Sequence, residues 1–250
     1  MRSAFISKLV ELARRDKTLF LIVGDLGYSV VEPFANEFPN RFLNAGIAEQ
    51  NMTGLAAGLA KEGFNVFVYS IGNFPTLRPM EQIRYDVCYH NLNVNIVSIG
   101  AGFAYGSLGV SHQATEDIAM MRSLPNMRVF SPGDPKEAQL VTEFVVNNPG
   151  PSYLRLGKSG ETIVHKNDRQ ISIQEFIPVI SNFFSNTAVL ATGSILSYAN
   201  NFILKNKEAQ FDLYSCPTIK PLDTFSLTTI AQKYSTIMTL EEHQRSAGFG

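Results

Sequence analysis

Apolar residues along this chain alternate between two rhythms. Short apolar runs recur at 19–23, 65–70, 94–99, 128–130 and 153–156, with a shorter one at Phe42-Leu43. A continuous apolar run of five or six residues is the pattern of a parallel strand buried on both faces. Between the runs, apolar residues fall at three- and four-residue spacing. Helices are therefore expected after Ser3, with Ile6, Leu9, Val10 and Ala13 on one side, from about Ala48, and over 80–89, 116–122 and 136–146. This alternation predicts an α/β fold, a mostly parallel sheet with helices on both faces.

After Leu156 the pattern changes. Residues 157–168 are polar and glycine-bearing, without a helical period, and from Thr187 a new unit begins. It reads as a strand over 188–191, a turn at Gly193, a helix to about Leu204, and strands over 211–214 and 237–240. The chain divides accordingly into 1–157, a linker over 158–186, and a second, smaller unit over 187–250. That unit is about half the usual minimum for an α/β domain and ends on a glycine-rich turn straight after a strand, so it is expected to be truncated.

Composition narrows the function classes. Hydrophobic residues make up 45% of the 250 residues and charged ones 17%, as in ordinary globular proteins. A net charge of −1 gives no electrostatic case for nucleic acid or an anionic membrane. Cys88 and Cys216 sit in apolar stretches without metal-ligand spacing and read as reduced core thiols, which fits a cytoplasmic address. His90 and His165 have no chemical context and are expected on the surface.

The segment 44–60, Asn-Ala-Gly-Ile-Ala-Glu-Gln-Asn-Met followed by Thr-Gly-Leu-Ala-Ala-Gly-Leu-Ala, organises the rest. A strand ends, a tight turn follows, and a helix starts. Ile47, Leu55 and Leu59 supply apolar contacts. Gly54, Ala57 and Gly58 leave a face onto which another helix can pack closely, so the helix is expected to be buried, with Glu49 in its first turn. An acid there suits the helix dipole and by periodicity alone needs no further role.

The motif Gly46-Ile47-Ala48-Glu49-Gln50-Asn51-Met52 resembles the pyrimidine-domain motif of the transketolase family of thiamine diphosphate enzymes. The resemblance runs from the first strand to the closing Gly248-Phe249-Gly250. It implies that Glu49 is catalytic, hydrogen-bonding N1′ of the cofactor's aminopyrimidine and so preparing the thiazolium carbon to attack a ketone. It also implies that Phe74 stacks on the pyrimidine, with Ile71 and Tyr69 as alternatives. His112, in Gly109-Val110-Ser111-His112-Gln113, is similar to the family's loop histidine, which faces the thiazolium and moves protons at the substrate's oxygens. Arg155 matches a substrate-phosphate contact, against the alternative of a strand-end arginine paired with an acid. Ser29 matches a second phosphate contact. For Asp25 and Leu26, in the loop after the first strand, the resemblance implies a place at the cofactor's edge, against the alternative that Asp25 simply orders the loop.

Two departures bear on the substrate. The family's substrate-hydroxyl aspartate is replaced by Leu108, and a phosphate-binding histidine by Gly100 or Ala101, which puts the usual sugar phosphates in question. The Gly-Asp-Gly signature that holds the diphosphate and Mg²⁺ is not encoded, so this chain carries no metal ligands. The resemblance therefore implies the C-terminal half of a split transketolase, whose partner subunit supplies the diphosphate and Mg²⁺ site, in an α2β2 heterotetramer. The expected reaction moves a two-carbon ketol unit between sugar-phosphate-like substrates. Alternatives are a 1-deoxyxylulose-5-phosphate-synthase-like condensation, a 2-oxo-acid dehydrogenase β subunit, and a catalytically silent assembly subunit.

Overall fold

The computed structural model describes residues 1–165, 170–182, 184–206 and 208–250. The chain opens with helix α1 (Arg2–Ala13), strand β1 (Leu19–Val23), a short α2 (Glu32–Glu37), β2 (Phe42–Asn44) and α3 (Glu49–Lys61). Then come β3 (Asn65–Ile71), two short helices, α4 (Phe74–Leu77) and α5 (Met80–Gln82), and a π-helical stretch Ile83–Cys88. The first unit closes with β4 (Val94–Ile99), α6 (Asp117–Ser123), β5 (Arg128–Phe130), α7 (Pro135–Asn147) and β6 (Ser152–Leu156). β5-β6-β4-β3-β1-β2 form one parallel sheet, as the buried apolar runs require.

Side chains alternate between the two faces of a strand, so each strand feeds two cores. Phe67 and Tyr69 of β3 face α1 and α7, with Phe5, Leu9, Leu21, Val97, Val141 and Leu154. Val66 and Val68 face the other way, with Ile22, Met52, Ala56, Ile83, Ile118 and Tyr153. Tyr69 thus lies in the α1 core, its ring stacked 6.2 Å from Phe5, and is withdrawn from the stacking role. Both cysteines are free and buried, and burial pushes the Cys88 thiol up to about 12, so it stays protonated.

The α3 helix is buried on one face only. Glu49, Met52, Thr53, Ala56 and Ala57 point inward, whereas Gly54 and Gly58 lie open and a Cβ at either would meet nothing within 4 Å. The close helix neighbour expected on that small-residue face does not come from the described residues of this chain. Ile47 and Leu55 are exposed as well.

The second unit has its own sheet, ordered β11-β8-β9-β7, from β7 (Ile177–Ile180), β8 (Thr187–Ala191), β9 (Asp212–Ser215) and β11 (Thr236–Leu240). Helix α8 (Ile195–Lys205) follows β8, and α9 (Thr224–Lys233) precedes β11. Segment 158–186, expected to be linker, contains β7, which pairs antiparallel with β9; residues 166–169 and 183 of it lie outside the described residues. Between β9 and α9 the chain crosses back as β10 (Thr218–Lys220) and adds an antiparallel edge strand to the first sheet, beside β5. The closing residues also return: the Gln244 N–H donates to the Thr115 carbonyl at 3.0 Å, and Phe249 packs against the first unit's core.

Candidate functional site

The loops at the carboxyl ends of β1, β2, β3 and β4 converge, where parallel α/β sheets place their ligands. After β1, Asp25 adopts a left-handed conformation (φ 54°), and its backbone N–H donates to Asn44 Oδ1 at 3.0 Å. Asn44 Nδ2 donates back to Asp25 Oδ1 at 3.1 Å, and the same Asn44 Oδ1 accepts from Gly46 N–H. Asp25 thus orders the turn that leads into α3. Leu26 is half-buried against the α1 core, and Ser29 is exposed, its N–H donating to Glu32 Oε1 at 2.7 Å.

Glu49 is the first residue of α3 and its side chain is 3% exposed. A carboxylate withdrawn from water needs a partner. Arg78 supplies it, with Nη1 donating to Glu49 Oε2 at 2.9 Å. Arg78 lies four residues beyond Phe74, one helical turn, so its guanidinium folds back over the Phe74 ring with Cζ 4.3 Å from the centroid. Phe74 in turn meets the His112 imidazole edge-on, ring centres 5.1 Å apart. An open cleft of about 610 Å³ lies beside Glu49 and Arg78, bordered by Ile47, Ala48, Gln50 and Asn51.

His112 is held by its loop. A Cβ on Gly72 (φ 41°) would come within 2.9 Å of the His112 carbonyl, so the loop rests directly on the end of β3. Asn73 Nδ2 donates to the Val110 carbonyl at 3.1 Å, and Ser111 Oγ lies 2.9 Å from His112 Nδ1. The structure therefore brings Glu49, Phe74 and His112 together. Ile71 ends β3, half-buried, beside this loop.

Arg155 takes the other of the two roles left open for it. It is 1% exposed, with Nε donating to Asp117 Oδ2 at 2.7 Å and Nη2 donating to the carbonyls of Ala114 (2.9 Å) and Glu242 (2.7 Å). Tyr153 O–H donates to the same Asp117 oxygen at 2.5 Å. Burial opposes the charge on Arg155, but Asp117 and Tyr153 outweigh it, and the guanidinium is held above its ordinary pKa. Its Nη1 has no hydrogen-bond partner but is buried, so no exposed fork is left for a phosphate. Three residues on, past the end of the strand, Lys158 is exposed, with its ammonium 4.6 Å from the centre of the Tyr105 ring. Tyr105 lies 6.0 Å from His112 and fills the space over Gly100, where any Cβ would overlap its ring. Lys158, Tyr105 and Arg78 are contacts around this group that sequence reasoning did not single out. A cation one turn after Phe74 was a readable signal for the last; the other two meet only through the fold.

His165 is not a surface residue. It is 2% exposed, with Nε2 2.5 Å from Glu137 Oε1. With Asp134 it forms a buried acid–imidazole cluster whose ligand-type atoms lie within 4.8 Å of one another. Its oxygens are taken up by N–H donors: Asp134 Oδ1 caps α7 through Glu137 N–H (2.8 Å), Oδ2 accepts from Val164 and His165 N–H, and Glu137 Oε2 accepts from Gly133 N–H (2.6 Å). The cluster clamps the segment after β6 onto the start of α7.

Comparison with known proteins bears on this geometry. The family model of the transketolase pyrimidine-binding domain matches residues 1–160, and that of the transketolase C-terminal domain matches 184–250. The chain is 34% identical over 255 residues to a subunit of the apulose-4-phosphate transketolase of Phocaeicola vulgatus, covering all of this chain and 80% of that one. It is 36% identical over 253 residues to a putative transketolase C-terminal section of Methanocaldococcus jannaschii, covering all of this chain and 79% of that one. Among solved structures, one described as a split gene transketolase, inactive beta4 tetramer, superposes with a TM-score of 0.87 at 33% identity, covering 99% of this chain and 81% of that one. With a buried carboxylate, an aromatic ring and an imidazole gathered at the carboxyl ends of a parallel sheet, and with these matches along its length, the chain belongs to the transketolase family.

Proposed function

We propose that this chain is the pyrimidine-binding subunit of a split, thiamine-diphosphate-dependent transketolase acting on sugar-phosphate-like substrates. The observation that carries the reading is Glu49, a carboxylate kept from water at the edge of an open cleft, with a flat cation already lying between it and Phe74. A seat that accepts a guanidinium between a carboxylate and an aromatic face fits an aminopyrimidine, another flat ring, whose nitrogen can share a proton with the carboxyl group. When bound, the cofactor supplies the carbon nucleophile that takes up and passes on the two-carbon unit.

This chain's own residues do the rest. Glu49 holds a proton at the ring nitrogen it faces. Phe74 fixes the ring's plane and excludes water from one side. His112, on a loop braced by Gly72 and Asn73, is placed to give or take a proton at a substrate oxygen. Lys158, beside Tyr105, receives the anionic end of the substrate, the role expected of Arg155. Ile71, Asp25, Leu26 and Ser29 shape the rim.

The diphosphate and its Mg²⁺ are assigned to a partner protein in an α2β2 heterotetramer. Supporting this, Tyr28 (71% exposed), Ile47 (76%), Phe103 (56%), Leu108 (54%) and Val110 (81%) all stand in loops at the strands' carboxyl ends. Such apolar side chains around a cleft mark a surface for another protein. Two relatives are named as subunits of an apulose-4-phosphate transketolase and of a 6-deoxy-6-sulfo-D-fructose transketolase, which supports an anionic sugar as substrate here. No helix among the described residues is long and apolar enough to cross a membrane.

The test is Glu49→Gln in the complex with the protein that carries the diphosphate domain. Ketol transfer should fall by at least about a hundredfold, the scale of a lost acid–base group. Unchanged turnover would leave the chain an assembly subunit.

A further inference from the structure

Arg78 makes the two contacts that the proposed site reserves for the aminopyrimidine. Its Nη1 donates to Glu49 Oε2 at 2.9 Å, and its guanidinium plane covers Phe74 at 4.3 Å. Glu49 Oε2 is engaged and the guanidinium covers one face of the ring, so a flat ring seated on that same oxygen and that same face would have to displace the arginine. The arginine is also poised to move: its side chain is 46% exposed, whereas Glu49's is 3% exposed. It caps the end of the four-residue α4 and borders the open cleft.

We propose that Arg78 is a placeholder, occupying the pyrimidine seat in the unassembled chain and leaving it when the cofactor is loaded. The proposal rests on the reading of Glu49 and Phe74 given above and adds an autoinhibitory contact to it. Without a counterion, a desolvated carboxylate would disfavour the free subunit. With Arg78 in place, the seat is closed to a flat heteroaromatic ring until something binds it more strongly. The apparent affinity for the pyrimidine is then reduced by the fraction of chains in which Arg78 is displaced. A seat filled nine times in ten weakens binding by about tenfold.

The experiment uses the full chain without its partner and thiamine as the probe, since thiamine carries the aminopyrimidine but no diphosphate for the partner to grip. Binding is followed by amide chemical shifts in 15N-labelled protein, which report affinities into the millimolar range. Arg78→Ala should bind thiamine about tenfold more tightly than the unsubstituted chain. Arg78→Lys, which keeps the charge without the planar fork, should fall between. A purely structural arginine would give no gain. Should Arg78→Ala fail to fold, Arg78→Met keeps the apolar stem without a donor for Glu49 and carries the same expectation. Equal or weaker binding by the variant, or none, overturns the placeholder. Glu49→Gln in the Arg78→Ala background separates the two ideas. If tightened binding survives that change, the seat is not at Glu49 and the proposed function is at fault. If binding needs Glu49 but does not respond to Arg78, only the placeholder falls.

Discussion

Arg155 and Asp117 meet through Nε and Oδ2 at 2.7 Å, with their side chains 1% and 0% exposed. Asp117 is the first residue of α6 and Arg155 the fourth of β6, so this ion pair fastens the helix to the sheet it covers. Removing one member of a buried pair strands the other charge, at a cost of about 3–5 kcal/mol. Arg155→Met should therefore shift denaturant unfolding by that amount. Asp117→Asn combined with Arg155→Met should recover part of it. A change in substrate KM without a loss of stability would return Arg155 to the phosphate.

Lys158 carries the opposite expectation. It is exposed, so Lys158→Met should change stability by less than about 0.5 kcal/mol. A charge-assisted hydrogen bond to substrate contributes about 1.5–3 kcal/mol, so KM for a phosphorylated substrate should rise by about ten- to a hundredfold. Turnover should change little, and an uncharged sugar should be handled as before. Steady-state kinetics of the assembled enzyme with both substrates checks this.

His112 is half-buried and bonded within its own loop, so His112→Asn should leave the melting temperature nearly unchanged. If the imidazole moves protons at the substrate, kcat should drop by about 10²–10⁴. A loss confined to KM would make it a binding group instead.

Asp223 gives a pH signature in the second unit. Its carboxylate caps α9 through Ser226 N–H (3.0 Å) and accepts from Phe176 N–H (3.1 Å). Partial burial works against the charge, but these hydrogen bonds prevail and lower its pKa below the ordinary 3.8. A group with a depressed folded pKa contributes fully above its unfolded value and loses that contribution as pH falls through the folded one. Asp223→Ala should cost about 1 kcal/mol near neutrality. The difference from the unsubstituted chain should shrink once pH drops below the ordinary value, as read by thermal melts across that range.

The grouping of Glu49, Phe74 and His112 was legible because each sits in a contiguous motif: a turn entering a helix, a strand end, a glycine-rich loop. The α/β class was legible because buried parallel strands announce themselves as unbroken apolar runs. Tyr69 was misplaced by proximity in sequence. Two-residue alternation sends it to the α1 core while its neighbour Ser70 faces the other way, and only the register of β3 on β1 and β4 decides which face is which. Arg155 looked like a ligand because its partner Asp117 is 38 residues away, invisible to any local pattern. β7 and β10 were missed for a related reason. Short edge strands owe their form to the neighbour they pair with, more than to their own composition.

β10 has a mechanical consequence. Since a stretch belonging by sequence to the C-terminal unit completes the N-terminal sheet, neither half can melt without tearing an edge from the other. Calorimetry should record one endotherm for the whole chain, and a protease that cuts inside 158–186 should leave two fragments that remain associated until both come apart.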